Sequence, residues 1–285
     1  MSGKIVIASD STTDLSNDLI QKYDIRILPL GVTLDNSNYS DGVDITPDYI
    51  YDYYNKTGIL PKTSAVNIAV LTEFYKKNTK DGNTLIFFTI SSNMSSTFNN
   101  ARLAAEEFDN VYVVDTKNLS TGGGHLVVAA AEMANEGFSA EEICKQCSEL
   151  AQKVDASFII DSLEFLHKGG RCSALAAFGA NLLNLKPCIV VRHGSMSVGK
   201  KYRGKFEQIL IKYIEEQLSN TDDIDTKRVF ITHAGCDDHV VNLCVNKVKS
   251  LNIFEEVYAT RAGCTVSSHC GRNTLGVLFI RKNNI

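Results

Sequence analysis

The sequence predicts a two-domain α/β protein, on three observations. Apolar runs of strand length alternate along the chain with segments of helical period. Its 285 residues exceed one small module and suit two domains of about 140 residues each. Hydrophobic residues make up 44% and charged residues 22%, which fits a globular chain with a large core and excludes a disordered one. The charge sum of −4, with no long basic run, argues against nucleic acid or an anionic membrane as the main partner.

Lys4–Ser9 reads as the first strand, followed by a polar loop and a short helix near Ser16–Lys22. Ile25–Leu30 is a second strand. Thr46-Pro47-Asp48 is a helix start, with a capping hydroxyl and proline at the first helical position. A further helix begins at 67. Leu85–Thr89 is a buried strand, followed by a serine-rich loop and a helix over Phe98–Phe108, and Val111–Val114 is another strand ending in Asp115. Helices over Leu119–Asn135 and Ala140–Val154 are separated by the stop Asn135-Glu136-Gly137 and the cap Ser139. The second half opens on the strand Phe158–Asp161 and a glycine-bearing helical stretch. Pro187–Arg192 and Ser195–Lys200 form a hairpin around His193-Gly194. A helix over Lys205–Leu218, the strand Val229–Thr232, a helix over Asp238–Ser250 and the strands Phe254–Ala259 and Gly276–Arg281 complete the chain.

No segment reaches the roughly 18 apolar residues of a membrane helix. Leu126–Ala134 is broken by Glu132, and Ala174–Leu183 by Gly179 and Asn181. The chain runs into its first strand with no signal peptide, so its eight cysteines are expected as reduced thiols in a cytoplasmic protein.

Ligands of α/β sheets collect at the carboxyl ends of strands, and here those ends are rich in hydroxyls. They carry Ser9 to Asp14, Thr63-Ser64, Ser91 to Thr97, and Asp115-Thr116 leading to Ser120 through His125. Together they suit an anion held by neutral donors and helix starts, although each loop alone also reads as ordinary capping. No nucleophile elbow, phosphate loop or dinucleotide fingerprint is present. Gly122-Gly123-Gly124 reads as an anion nest or as close helix packing, packing being favoured. Asp10 and Asp14 read as turn caps before metal ligands. Cys144 and Cys147 have C-x-x-C spacing but inside a helical pattern, and no cysteine or histidine spacing matches a zinc site, so no metal is expected. His269, in a loop before the last strand, is a candidate base or donor. Arg171 and Arg203 are basic points in an acidic chain, suited to structural pairing or to docking an acidic partner.

The motifs Asp10-Ser11-Thr12-Thr13-Asp14-Leu15, Thr63-Ser64, Ser91 through Phe98, Val114-Asp115, Leu163 through Arg171, Lys186-Pro187 and the stretch Gly263 to Gly276 around His269 occur in one order. In that order they resemble the DegV family of bacterial fatty-acid-binding proteins, over essentially the whole chain. The family's usual Thr-Ser-Gln-Pro-Ser is here Thr63-Ser64-Ala65-Val66-Asn67, Ser96 stands where glycine is usual, and Thr-Gly-Pro-Gly after the histidine becomes Cys270-Gly271-Arg272-Asn273.

The resemblance implies an N-terminal Rossmann-like three-layer domain over residues 1–157, a smaller C-terminal α/β domain over 158–285, and a lipid slot between them. It implies a non-enzymatic carrier without cofactor, which holds a long-chain fatty acid while a separate fatty acid kinase subunit phosphorylates the carboxylate. Lipid exchange would go through transient membrane contact. Thr63, Ser64, Ser92, Ser95 and His269 would contact the head group, and Arg171 and Arg203 would dock the partner or stabilise the product. Burying about fourteen methylenes at about 0.8 kcal/mol each gives a gross gain near 11 kcal/mol, from which ordering takes back several. Hydroxyl donors then fix which end faces the loops, at about 1.5–3 kcal/mol per charge-assisted bond. No strong cation is expected at the carboxylate, which a bidentate arginine would mask. The readings of a different kind are a serine–histidine acyl hydrolase or transferase, using a serine near 92 with His269, and a carrier of another apolar carboxylate or isoprenoid.

Overall fold

The computed structural model describes residues 3–172 and 185–285. The first half runs β1 (Ile5–Asp10), α1 (Asn17–Lys22), β2 (Arg26–Leu28), β3 (Gly31–Leu34), β4 (Ser37–Ser40), α2 (Pro47–Thr57), β5 (Lys62–Ser64) and α3 (Ile68–Asn78). It continues with β6 (Thr84–Thr89), α4 (Thr97–Ala105), β7 (Val111–Asp115), α5 (Ser120–Asn135) and α6 (Ala140–Leu150). The second half runs β8 (Val154–Ile160), α7 (Glu164–Gly169), β9 (Lys186–Arg192), β10 (Ser195–Tyr202), α8 (Phe206–Gln217), β11 (Ile224–Ala234), α9 (Asp238–Ser250), β12 (Glu256–Arg261), α10 (Cys264–Cys270) and β13 (Thr274–Arg281).

The expected α/β architecture stands. A parallel sheet in the order β2-β1-β6-β7 is buried on both faces, so its strands are continuous apolar runs without alternation. Period two nevertheless sorts the side chains. Ile7, Ile86 and Phe88 pack toward α1, α5 and α6, while Val6, Leu85 and Phe87 pack toward Leu71 and Tyr75 of α3 and Ala101 of α4. That is the three-layer arrangement. Thr46 caps α2 with Pro47 next to it, and Ser139 and Glu142 close a capping box on α6, both as their residue types dictate.

The second half is built on a mixed sheet in the order β10-β9-β8-β13-β11-β12. One face packs Val229, Ile231, Val277 and Phe279 toward α8 and α9. The other turns Ala156, Phe158, Phe230 and Leu278 toward α5. Helix α5 therefore lies between the two sheets, and its first nine residues are buried on every side. Close packing is what Gly124 permits: a Cβ there would stand 2.8 Å from Leu15 and 3.0 Å from the Thr13 carbonyl. The hairpin turn has His193 and Gly194 both at positive φ, 50° and 80°, as a two-residue connection of twisted strands requires.

Four features differ from the sequence expectation. A third sheet, β4-β3-β5, is antiparallel and built of short polar strands; it holds because Val32 and Leu34 pack under Ile50 and Tyr51 of α2. Strand β8 begins at Val154, so the boundary expected between 157 and 158 falls inside a strand. All seven of its residues pair with β13, and Asp155 is tolerated there because Arg192 and Arg281 neutralise it. Strand β11 extends through charged residues because Arg228, itself buried, pairs with Glu132 and Glu256. The segment around His269 is a helix, α10, and not a loop; being buried nearly all round, it shows no amphipathic stripe. Among the described residues no helix is long and apolar enough to cross a membrane; the apolar run Ala174–Leu183 and most of the glycine-bearing stretch lie outside them.

Candidate functional site

The small sheet, α7 and α10 bring together residues far apart in sequence. Thr63 pairs with Val32 across β5 and β3, and the pleat turns its hydroxyl toward α10. There Thr63 Oγ1 lies 2.8 Å from Nε2 of His269, although 206 residues separate the two. The other ring nitrogen, Nδ1, is buried and has no hydrogen-bond partner among the described residues. Burial, and then the positive charge of Arg171, push the imidazole down to about 4, so it is neutral at pH 7. Gly169, the last residue of α7, makes room for this ring: a Cβ there would stand 2.4 Å from Nδ1. Gly169→Ala is therefore expected to displace the imidazole and shift its NMR resonances, at a cost of about 1–3 kcal/mol in stability. An unchanged His269 spectrum would contradict this packing.

Thr63 and His269 open onto a cavity whose other polar side chains are Ser64, Ser95, Arg171 and Thr265. The rest of its wall is apolar, including Leu30, Ile90, Met94, Leu119, Met196 and Val266. Ser64 and Arg171 are exposed, so the polar end is the open one. A second cavity lies deeper, between the start of α5, α10 and the second sheet, on Phe158, Val191 and Leu278. Leu119, Val266 and Cys270 wall both cavities and separate them, as a neck of three side chains. Burial pushes the Cys270 thiol up to about 12, so the neck is uncharged.

The sequence-predicted site residues separate. Thr63, Ser64, Ser95 and His269 share the first cavity. Ser92 does not line it; its amide donates to Asp115 and its hydroxyl faces Lys117 at 3.5 Å. Arg171, expected at a docking surface, lines the cavity, so the polar end is not free of a strong cation. Its guanidinium donates to the Gly169 carbonyl at 2.8 Å. Arg203 is exposed on the loop between β10 and α8.

Asp10 and Asp14 read from the sequence as turn caps before metal ligands, and the sequence gives no sign of Asp41. Asp10 closes its own loop and the next strand end, accepting from the amides of Thr12 and Ile90 at 3.0 and 2.8 Å. Asp14 accepts from Ser120 Oγ at 2.5 Å and from the Gly263 amide at 2.7 Å. Asp41 accepts from the amides of Cys264 and Thr265 at 2.6 and 3.1 Å. The carboxylates are caps, as carboxylates in loops commonly are. Among the described residues no three histidine, cysteine or acidic side chains are grouped to hold a metal ion.

Burial, with Asp41 and Asp10 nearby, raises Asp14 from 3.8 to about 8 despite its two hydrogen bonds. The folded chain thus keeps a proton that the unfolded chain has released. The stability this proton contributes is complete below about pH 4 and is lost as pH rises toward 8. Asp14→Asn keeps the acceptor and lacks the titration. Its melting temperature is expected to gain on the wild type between about pH 5 and pH 8 and to level off above. A difference independent of pH would contradict the assignment.

Residues 4–282 match the family model described as "Uncharacterised protein, DegV family". The chain belongs to the DegV family. A DegV domain-containing protein of Clostridium acetobutylicum is 33% identical, covering 98% of this chain and 99% of its own. A solved DegV structure from Thermus thermophilus, described as binding fatty acid, superposes with a TM-score of 0.90 at 29% identity, covering 98% and 99% of the two chains. A stearic acid-binding protein from Eubacterium ventriosum superposes at 0.84 with 28% identity, covering 98% of each. At three of the positions where this chain departs from the DegV pattern, the replacement keeps the local physics. Asn67 caps α3 through the Val70 amide at 2.9 Å, a role that serine also performs. Asn273 occupies φ 58°, which asparagine tolerates best after glycine. Ser96 has ordinary right-handed geometry and needs no glycine.

Proposed function

We propose that this chain is a fatty acid carrier, with the carboxylate of a long-chain fatty acid beside Thr63 and His269 and the tail passing the neck into the second cavity. The observation that carries this reading is the Thr63–His269 pair at the open, polar end of an apolar cavity that shares three wall residues with a second one between the halves of the molecule. Ser64, Ser95 and Arg171 complete the head-group set. Fatty acid binding by DegV relatives of the same fold supports the ligand class. A neutral imidazole can donate one hydrogen bond without holding the carboxylate as an ion pair, and the exposed Arg171 adds a screened charge. The expected head-group role of Ser92 is not part of this proposal.

The carrier reading extends to a partner. With Ser64 and Arg171 exposed, the carboxylate oxygens face outward, where a kinase can transfer a nucleotide's terminal phosphoryl group to one of them, leaving an acyl phosphate and the nucleoside diphosphate. Arg203 would serve that docking, in a cytoplasmic setting, with tails exchanged during brief membrane contact. The pairing of His269 with Thr63, and the lack of any carboxylate partner for its Nδ1 among the described residues, favour a carrier over a serine–histidine enzyme. The test is organic extraction and mass spectrometry of the purified protein beside a native mass spectrum. A stoichiometric long-chain fatty acid, released only on denaturation, is expected. An empty protein that takes up no added fatty acid would sink the proposal. Trapping of a hydroxamate on adding kinase, ATP and hydroxylamine tests the acyl-phosphate step separately.

A further inference from the structure

We propose that Asp14 is a positioning residue for His269, holding the amino end of α10 together with Asp41 and so setting where the imidazole meets Thr63. This rests on the head-group reading above. Helix α10 has no side-chain cap of its own, since its N-cap is Gly263. Three successive amides, those of Gly263, Cys264 and Thr265, instead donate to two carboxylates that are more than two hundred residues away in sequence. The helix is seven residues long, so it spans about 10 Å and its two ends move together. His269 sits in its last turn. Val266 and Cys270, on the same helix, wall both cavities.

Asp14 also reaches the other side of the slot. Its second oxygen takes the Ser120 hydroxyl, and Ser120 opens α5 and lines the deeper cavity. Asp14 and Ser120 both have positive φ, 50° and 52°, conformations that non-glycine residues hold only where the surroundings demand it. One carboxyl thus joins the end of the first strand's loop, the start of α5 and the start of α10. Asp41 makes the third link, through Ser11 Oγ at 2.9 Å. Loosening this joint misplaces the polar end and, of the apolar wall, shifts Val266 and Cys270, while Leu30, Ile90 and Met94, which lie on other elements, stay in place.

The test compares binding of hexadecanoate and hexadecan-1-ol to the delipidated full chain by equilibrium dialysis. The two share a tail and differ in the group that meets Thr63 and His269. Wild type is expected to prefer the carboxylate. Asp14→Ala is expected to lose that preference by about tenfold or more, its affinity for the alcohol falling much less than its affinity for the carboxylate. Asp14→Asn, which keeps the acceptor for Gly263, is expected to restore the preference. A merely structural residue would weaken both ligands together and leave the ratio intact, and that outcome overturns the proposal. If Asp14→Ala fails to fold, Gly263→Ala is read the same way, because its methyl would stand 3.1 and 3.3 Å from the Asp41 and Asp14 oxygens. Wild type without any preference for the carboxylate would overturn the head-group reading itself, and this inference with it.

Discussion

Replacing Val266 with phenylalanine is expected to convert the long-chain site into one for short chains. Val266, on α10, lines both cavities, as Leu119 does, so the larger side chain is expected to close the neck while Thr63 and His269 stay in place. Each excluded methylene forfeits about 0.8 kcal/mol, and shutting out four of them lowers affinity by about a hundredfold. The added volume costs about 1–3 kcal/mol of stability, within reach of a domain of this size. A calorimetric series from octanoate to hexadecanoate reads the effect. In wild type, affinity rises along the series; in the variant it stops rising at the chain length that reaches the neck. A series that climbs equally in both proteins would show that the tail runs elsewhere.

Thr63→Val is expected to weaken hexadecanoate binding by about tenfold to a hundredfold, the range for losing one hydrogen bond to a charged group. The substitution keeps the shape of the side chain and removes only the hydroxyl that meets His269 Nε2. Because β5 lies in a short sheet whose packing rests on Val32 and Leu34 and not on Thr63, folding should be preserved. Hexadecan-1-ol binding should change much less than hexadecanoate binding. Equal affinity of wild type and variant for hexadecanoate would remove Thr63 from the head-group set.

The parallel sheet was legible because burial on both faces makes its strands uninterrupted apolar runs, Leu85 to Phe88 most plainly. Helix α9 was legible because one apolar stripe, Val240, Val241, Cys244 and Val248, faces the second sheet. The small sheet was not. Its strands Gly31–Leu34, Ser37–Ser40 and Lys62–Ser64 are too short and polar to show a period, and α2 supplies the apolar partner from outside. Helix α10 was hidden for the opposite reason: with nearly every side buried, cysteine, serine and threonine fill it and no face stands out.

The site was legible in residue types and not in its geometry. Loops rich in hydroxyls named Thr63 and Ser95 as candidates, and the motif around His269 named the histidine, yet only the fold brings Thr63 and His269 into contact. Ser92 carries the same chemistry as Ser95, three positions on in the same loop, and the turn sends it to Asp115 and Lys117 instead. Arg171 reads from sequence as a surface charge, and the glycine-bearing end of α7 brings it to the cavity. Asp41 left no local signal at all, because the amides it accepts from belong to residues 264 and 265.

The orientation of the ligand is the centre of this account, and a terminally brominated hexadecanoic acid tests it most directly. Crystals of the complex, measured at the bromine absorption edge, locate the far end of the chain by its anomalous signal alone. One peak is expected in the deeper cavity, among Phe158, Val191 and Leu278, with the carboxylate beside Thr63 and His269. A peak at the open end, near Ser64 and Arg171, would contradict it, because the chain would then enter tail outward and the Thr63–His269 pair would meet no carboxylate.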